Sequence, residues 1–321
     1  MKDSSLYYSV GALLYCPANN ETIANSIISQ KFGTLYSLAL CLEDTICDDC
    51  VAEAEKILID TICYIHKCSN EKEFYMPKIF IRVRNPQQIC TLYKKIGAAA
   101  RLVTGFIIPK FSPENARNYI QELIKVNEQS KNPVYAMPIY ESDCIVDLRN
   151  RYDILYALKD QLTVIENRIL NIRVGGNDLC HIFGFRRHET ESIHRMKPVA
   201  TIFSDIITVY GMDYVVSGPV WEYYNGAYWK QGLIHEIADD KLCGFVGKTV
   251  IHPNQIDVVN EAYKVTKKDY EDACAILNWD SSTHTLVSAS TGKERMNEHK
   301  THTNWARRTL LIAEHFGIED T

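Results

Sequence analysis

Eight short apolar runs, spaced along the first three quarters of the chain, constrain its fold more than any other feature. Each run is continuously apolar rather than alternating, which is typical of strands that are buried on both faces. Segments with the spacing of amphipathic helices lie between most of them. The runs are Ala12–Cys16, Tyr36–Leu42, Ile79–Val83, Gly105–Ile108, Val134–Tyr140, Ile172–Val174, Tyr214–Val216 and Thr249–Ile251.

The segments between these runs predict an alternating β/α chain. The segment after the fourth run opens with Ser112 as a cap residue and Pro113 at the first helical position. A doubly wound sheet usually has about six strands, whereas eight strand–helix units are typical of a (β/α)8 barrel. We therefore predict an α/β fold of the (β/α)8 TIM-barrel class. The clearest predicted helices are Pro113–Lys125, Tyr152–Ile165, Ile193–Val209 and Tyr224–Ala238.

The last part of the chain predicts a helical extension outside the barrel. Val258–Ala273 and Asn304–Phe316 both carry apolar residues at helical spacing. Between them, the polar residues 281–301 predict a loop or a lid. We expect a barrel over residues 1–256 and a C-terminal helical extension over residues 257–321.

The composition of the 321-residue chain excludes several classes of function. Hydrophobic residues make up 46% and charged residues 23%, which is typical of a globular protein. The net charge of −5 provides no basic field for nucleic acid, and no apolar run reaches the roughly 20 residues of a membrane span. The N-terminal residues lead directly into the first strand, so we expect no signal peptide. Eleven irregularly spaced cysteines predict reduced thiols in a cytoplasmic protein.

Charged side chains stand where most of the predicted strands end. In a TIM barrel the chemistry takes place at this end of the strands, in the loops that follow them. We therefore consider every charged residue at these positions as a candidate site residue. They are Glu43 and Asp44 after the second strand, Arg82 and Arg84 at the third, Lys110 after the fourth, Glu141 after the fifth, Asp178 after the sixth and His252 after the eighth.

Two of these acids predict a metal site. A hard ion such as Mg²⁺ is usually held by one or two carboxylates, water and the oxygens of the substrate. Glu141 and Asp178 follow neighbouring strands, so we interpret them as metal ligands, and Arg82 as the group that grips a substrate carboxylate. These three are the predicted catalytic residues. The other candidates for substrate binding, each of which could instead have a structural role, are Glu43, Asp44, Arg84, Lys110 and His252.

The segment IRVGGNDLC, residues 172–180, could also be interpreted as a phosphate-binding loop. That function requires a glycine-rich turn that opens directly into a helix, and Leu179–Phe185 shows no clear helix start. We favour the metal site, in which Gly175 and Gly176 let the backbone turn sharply so that Asp178 faces inward. The chain contains no GxSxG, HExxH, Walker lysine or GxGxxG motif.

Taken in order, several segments resemble the citrate lyase β-subunit-like branch of the aldolase/citrate lyase family. They cover about residues 11–256, and LCLEDTI and GFVGKTVIHPNQI are the most specific of them. The tail KTHTNWARR, residues 300–308, resembles a divergent branch associated with tellurite-resistance and stress-response gene clusters. The full ordered set is ALLYCPANN, LALCLEDTI, IFIRVRNP, FIIPKF, PIYES, VGGNDL and GFVGKTVIHPNQI.

The resemblance implies a (β/α)8 barrel that binds Mg²⁺ and forms a homotrimer or homohexamer. The family's metal carboxylates fall on Glu141 and Asp178, and its substrate-binding arginine falls on Arg82. The implied activity is that of a carbon–carbon lyase. It would act on a small 2-oxoacid-type or acyl substrate through a metal-stabilised enolate.

Three departures from the family pattern leave alternatives open. Arg84 replaces an asparagine, the usual arginine before the first strand is absent, and only Glu298 could stand for a late aspartate that is donated across subunits. The first alternative is Claisen condensation or thioester hydrolysis on an acyl-coenzyme A. The second is a non-catalytic barrel that acts as a binding or assembly subunit.

Overall fold

The protein, described by a computed structural model over residues 3–280, 282 and 284–319, is built around one parallel sheet of eight strands. Neighbours in the sheet follow the order β7-β6-β5-β4-β3-β2-β1-β8. All eight predicted strands are present, with bounds that differ by a few residues at most. They are β1 (Ala12–Pro17), β2 (Tyr36–Cys41), β3 (Lys78–Arg82), β4 (Val103–Ile108), β5 (Tyr135–Tyr140), β6 (Ile172–Val174), β7 (Val216–Ser217) and β8 (Lys248–Val250).

The two ends of this strand order meet, which confirms the predicted barrel. Gly218, directly after β7, forms a parallel bridge with Lys248 at the start of β8. The Val246 N–H donates to the Val216 carbonyl at 2.8 Å. Because every strand is parallel to its neighbours, all eight carboxyl ends open on the same side of the molecule.

Helices connect the strands and cover the outside of the barrel, as the alternating sequence pattern predicts. Two of them, α6 and α7, lie between β6 and β7, and the last three follow β8. The helices are α1 (Ile23–Ile28), α2 (Val51–Glu71), α3 (Pro86–Ile96), α4 (Ala116–Gln129), α5 (Arg151–Leu162), α6 (Gly176–Phe183), α7 (Lys197–Tyr210), α8 (Trp229–Cys243), α9 (Asn254–Tyr263), α10 (Lys267–Leu277) and α11 (His299–Phe316).

Local capping explains where some helices begin. At α3, the Asn85 side chain accepts from the Gln88 N–H at 3.1 Å and Pro86 takes the first helical position. The same arrangement was predicted at Ser112, and there the prediction is wrong. The Ser112 N–H donates to the Asn115 side chain at 3.0 Å, so these residues form a turn and α4 begins only after Asn115.

Apolar side chains form two layers, one on each face of the strands. The outer layer is the large core between the strands and the helices. The inner layer fills the barrel, and one of its members, Ile139, reaches the mouth. Its buried members are Val10, Leu13, Ala39, Phe80, Ile107, Met137, Ile139 and Leu170.

The C-terminal part differs in detail from its prediction. The single helix expected over Val258–Ala273 is two helices, because the Thr266 hydroxyl accepts from the Asp269 N–H at 3.1 Å and starts α10 anew. The stretch expected to be a loop over residues 281–301 contains an antiparallel hairpin, β9 (Val287–Ala289) and β10 (Met296–Glu298). Ser281 and Thr283 of that stretch lie outside the described residues.

The hairpin is tied to α10 by a buried acid. Asp272 accepts from the Arg295 guanidinium at 2.7 Å and from the Asn297 amide at 3.1 Å. The predicted boundary at residue 256 falls within α9, and the division into barrel and extension stays a prediction. None of the helices in the described part of the chain is both long and apolar enough to cross a membrane.

Candidate functional site

The carboxyl ends of β2 to β6 bring most of the predicted site residues together. Arg82 is the last residue of β3, Glu141 directly follows β5, and Asp178 lies in the first turn of α6, just beyond β6. Strand pairing sets their spacing, since Arg82 is in register with Ile107 of β4 and with Cys41 of β2. The parallel register thus converts distant sequence positions into one polar cluster.

Arg82 is the centre of this cluster and is compensated by three carboxylates. Its guanidinium lies 2.9 Å from the Glu43 carboxylate, 2.9 Å from that of Asp44 and 3.2 Å from that of Glu141. The side chain is buried, which disfavours its charge, but Tyr15, Glu141 and Glu43 raise the pKa of the guanidinium above its ordinary value. Arg82 is therefore a fixed cation that orients the acids around it.

Lys110 closes the cluster from the solvent side. Its ammonium lies 2.6 Å from the Glu43 carboxylate and 3.2 Å from that of Asp44. The residue has a φ of +48°, which L-amino acids seldom adopt, and this turn lets its N–H donate to Glu141 Oε1 at 2.9 Å. A strained backbone position is thus used to hold the Glu141 carboxylate.

Glu141 is a buried carboxylate beside a second acid. Burial raises its pKa to about 7, with Asp178 and Glu43 adding to the shift while Arg82 and the Lys110 N–H oppose it. A Cβ atom on Gly175 would lie only 2.1 Å from Glu141 Oε2. Only glycine at position 175 therefore leaves space for this carboxylate.

Gly175 and Gly176 were predicted to allow a sharp turn of the backbone, and that reason is wrong. Gly175 has an ordinary φ of −96°, and neither glycine is among the residues with positive φ. The requirement is for space, because a Cβ on Gly176 would lie 2.7 Å from Ile193 and 2.9 Å from Pro219. The prediction that no helix starts after these glycines was also wrong, since α6 begins at Gly176 itself.

Asp178 differs from Glu43, Asp44 and Glu141 because no basic side chain of the described residues pairs with it. It is the third residue of α6 and is partly exposed to the cleft. Within residues 3–280, 282 and 284–319, its carboxylate has no hydrogen-bond or ion-pair partner. The helix N-terminus stabilises its negative charge.

These side chains surround a cleft of about 390 Å³ at the barrel mouth. Arg82, Glu141 and Asp178 line it. The polar lining residues that were missed in the sequence include Tyr15 on β1, Arg173 on β6 and Thr249 on β8. For Arg173 the sequence did carry a signal, because an arginine between two apolar residues of a three-residue barrel strand is unusual.

Arg84 and His252, both predicted to bind substrate, do not line the cleft. The Arg84 guanidinium pairs with Asp48 and donates to the Ile46 carbonyl at 3.1 Å, in the loop after β2. The His252 ring stacks on Tyr224 with centroids 4.6 Å apart. Both side chains thus have local structural partners.

The donor set in the cleft fits a hard divalent cation. Among the described residues no group of three or more His, Cys, Asp and Glu side chains could by itself hold a metal. The cleft does contain two carboxylates, those of Glu141 and Asp178, and two is a number that Mg²⁺ typically takes from a protein when substrate and water supply the rest. Both carboxylates line the same cleft, and the charge of Asp178 adds to the rise in the pKa of Glu141 that burial causes.

The fold and the cleft define a TIM-barrel protein with an acidic, arginine-containing site at the carboxyl ends of its strands. Over residues 4–318 the sequence matches the family of C–C bond lyases of the TIM-barrel fold, and the chain belongs to that family. This membership confirms the family resemblance seen in the sequence.

Solved structures of low sequence identity share this fold. CitE from Mycobacterium tuberculosis, in complex with magnesium, acetoacetate and coenzyme A, is 18% identical, with 96% of this chain and 99% of that chain covered and a TM-score of 0.60. A citrate lyase from Burkholderia xenovorans LB400 is 12% identical, with 97% and 94% covered and a TM-score of 0.73.

A citrate lyase β subunit from M. tuberculosis, complexed with oxaloacetate and magnesium, is 19% identical. The comparison covers 81% of this chain and 99% of that chain, with a TM-score of 0.51. No curated protein matches the sequence. At these identities the solved structures show a common fold and nothing finer.

Proposed function

We propose that this protein is a Mg²⁺-dependent carbon–carbon lyase that acts on a small 2-oxoacid-type or acyl substrate in the cleft at the barrel mouth. The observation that carries the proposal is that one cleft contains the buried Glu141 carboxylate and the Asp178 carboxylate, for which the described residues provide no partner. Family membership supports the reaction class, and relatives of the same fold were solved with magnesium and small oxoacids.

In this proposal Glu141 and Asp178 hold the cation. Bound there, Mg²⁺ would supply a Lewis acid that stabilises negative charge on a substrate oxygen. Glu141 has its orientation fixed before any ligand arrives, since Arg82 and the Lys110 N–H both contact its Oε1 atom. Asp178 needs no rearrangement either, because no cation among the described residues competes for its carboxylate.

The cations around Glu141 have supporting roles. Arg82 lines the cleft, and its Nε–H has no partner within the described residues, so this group is available to a substrate carboxylate. Glu43 and Asp44 hold the Arg82 guanidinium from the opposite side and also bind Lys110. Lys110 is half exposed and covers the cluster on its solvent side.

The first experiment combines binding with turnover. A thermal-shift screen of short oxoacids and coenzyme A thioesters, with and without Mg²⁺, should find ligands that stabilise the wild type more strongly when the metal is present. At 100 times its dissociation constant a ligand adds about 2.7 kcal/mol. Ligands found in this way are then incubated with the enzyme, and the cleavage products are measured by mass spectrometry.

The variant Glu141→Gln keeps the shape of the side chain but removes its charge. We expect it to lose the Mg²⁺-dependent shift and the product. Asp143→Asn changes a nearby exposed acid and should leave both unchanged. If the wild type binds Mg²⁺ and oxoacids but yields no product, the protein is a binding subunit, and the lyase proposal is wrong.

Coenzyme A thioesters form a separate arm of the same screen. Turnover of these compounds without turnover of free oxoacids would favour Claisen condensation or thioester hydrolysis. Glu298, the candidate base for that chemistry, does not line the cleft of its own chain, and its carboxylate accepts from Thr301 at 2.7 Å. The homotrimer or homohexamer stays a prediction, which light scattering tests.

A further inference from the structure

Arg173 is a buried cation on the wall of the cleft that the proposed function does not use. It lies in β6, between Ile172 and Val174, whose side chains join the outer core. Arg173 itself is 1% exposed and lines the cleft. One terminal nitrogen, Nη2, donates to the Thr249 hydroxyl at 2.6 Å, and the other, Nη1, has no hydrogen-bond partner within the described residues.

The lack of a carboxylate partner sets Arg173 apart from the other buried cations. Among the described residues five basic side chains are buried. Arg82 contacts three acids, Arg151 pairs with Asp205 at 2.6 Å, Arg187 lies 3.3 Å from Glu236, and Lys248 contacts two acids. Arg173 has no ion pair with any other residue that the structure describes. Because a buried charge is costly without a counter-charge, one is expected to come from a ligand.

Hydrogen-bond donors converge on the same place. The Thr249 hydroxyl accepts from Arg173, so its own proton is free to be donated. The Tyr15 hydroxyl lies beside Arg173, and burial raises the pKa of Tyr15 to about 12, so it stays a donor at neutral pH. Burial lowers the pKa of Arg173, but a guanidinium remains protonated in proteins.

We propose that Arg173, Tyr15 and Thr249 form a second anion subsite that binds a carboxylate of the substrate. The substrate would then be a dicarboxylic acid, with one end at Glu141 and Asp178 and its second carboxylate on Arg173. A planar guanidinium next to two hydroxyl groups suits a carboxylate. This inference rests on the proposed function only for the end of the substrate that lies at Glu141 and Asp178. The contact between the second carboxylate and Arg173 needs no metal.

The test compares two stable ligands that differ in one carboxylate. Malate is lactate with a second carboxylate, and both are titrated by calorimetry into the full chain with Mg²⁺. The wild type should bind malate at least tenfold more tightly than lactate. In Arg173→Gln this ratio should fall to about one, while the affinities for lactate and Mg²⁺ change less than threefold. A merely structural role for Arg173 would not move the ratio.

Three more conservative substitutions test the subsite even if Arg173→Gln does not fold. Thr249→Val and Tyr15→Phe each delete one hydroxyl and should reduce the malate-to-lactate ratio threefold or more. Arg173→Lys keeps the charge but loses the planar fork, and should retain part of the ratio. A wild-type ratio near one, or a ratio that survives in the folded variants, would overturn the proposal. Equal binding of inorganic phosphate and malate would contradict carboxylate specificity.

Titration in EDTA separates this inference from the proposed function. Without metal both ligands should bind more weakly, but the preference for malate should persist in the wild type and disappear in Arg173→Gln. If added Mg²⁺ changes neither affinity, the metal-dependent function is wrong while the Arg173 subsite stands. If the preference is absent in EDTA and in Mg²⁺ alike, the Arg173 subsite is wrong, whatever the metal does.

Discussion

Two regions of this protein bury charge, and they compensate it in different ways. Between β8 and α8 the fully buried Lys248 ammonium lies 3.0 Å from the Glu236 carboxylate and 2.6 Å from that of Asp240. The same acids also contact Arg187 at 3.3 Å and His194 at 2.7 Å. Every member of this outer network has a partner of opposite charge or a hydrogen-bonding ring nitrogen.

The cleft at the barrel mouth is compensated only in part. Arg82 is surrounded by acids, yet Asp178 has no partner within the described residues, and Arg173 bonds to the hydroxyl of Thr249. A network that is complete without a ligand needs only the fold, whereas charges left unpaired are free to bind one. The comparison therefore assigns structure to the outer network and ligand binding to the cleft.

The largest expected effect is on stability, in the outer network. Lys248→Met should lower the free energy of unfolding by about 3 kcal/mol or more, since it leaves two buried acids without their shared cation. Urea denaturation measures this loss. Lys230→Met, at an exposed position of α8, the helix that carries Glu236 and Asp240, is the matched control and should change stability by less than about 0.5 kcal/mol. A Lys248 variant as stable as the control would remove the contrast between the regions.

The second expected effect is on metal binding, in the cleft. Asp178→Asn should weaken Mg²⁺ about 100-fold, or about 2.7 kcal/mol, while the free energy of unfolding changes by less than about 1 kcal/mol. Calorimetry with Mg²⁺ and a denaturation curve check the two halves of this prediction. Unchanged Mg²⁺ affinity, or a large loss of stability, would show that Asp178 is a structural residue like those of the outer network.

The third expected effect concerns the space kept free for Glu141. Gly175→Ala places a methyl group where the Glu141 carboxylate lies, so we expect a loss of about 1–3 kcal/mol in stability and at least tenfold weaker Mg²⁺ binding. Gly292→Ala is the control, because its new Cβ would have no neighbour closer than 3.5 Å. If both variants behave alike, Glu141 is not held by the close approach of Gly175.

The fold could be predicted from the sequence because it depends on local patterns of apolar residues. Strands buried on both faces read as continuous apolar runs, and eight such runs with helices between them leave few other architectures. The residues at strand ends could be collected for the same reason, since parallel strands end at one side. Arg82, Glu141 and Asp178 were found in this way, and the structure brings them to one cleft.

The details that failed depend on contacts between distant residues. Nothing local shows that Arg84 turns away from the cleft toward Asp48, or that Gly175 is required by a carboxylate on the neighbouring strand. Arg173 was passed over because its strand was treated as an apolar run. Its importance lies in the acidic partner that none of the described residues provides, and the lack of an ion pair is visible only in three dimensions.

The smallest expected effect belongs to Arg84. Its ion pair with Asp48 is largely exposed, so Arg84→Met should change the free energy of unfolding by less than about 1 kcal/mol and leave Mg²⁺ affinity unchanged. Arg82→Met, two residues earlier, should weaken Mg²⁺ binding, because it removes the cation that orients Glu141. Equal effects of the two variants on Mg²⁺ binding would mean that Arg84 also serves the cleft.

Anomalous diffraction from crystals soaked in Mn²⁺, which replaces Mg²⁺ at oxygen-rich sites, tests the central claim most directly. The account predicts one strong peak in the cleft, within coordination distance of both the Glu141 and the Asp178 carboxylates. A peak elsewhere on the protein, or a cleft that stays empty at saturating Mn²⁺, would contradict it.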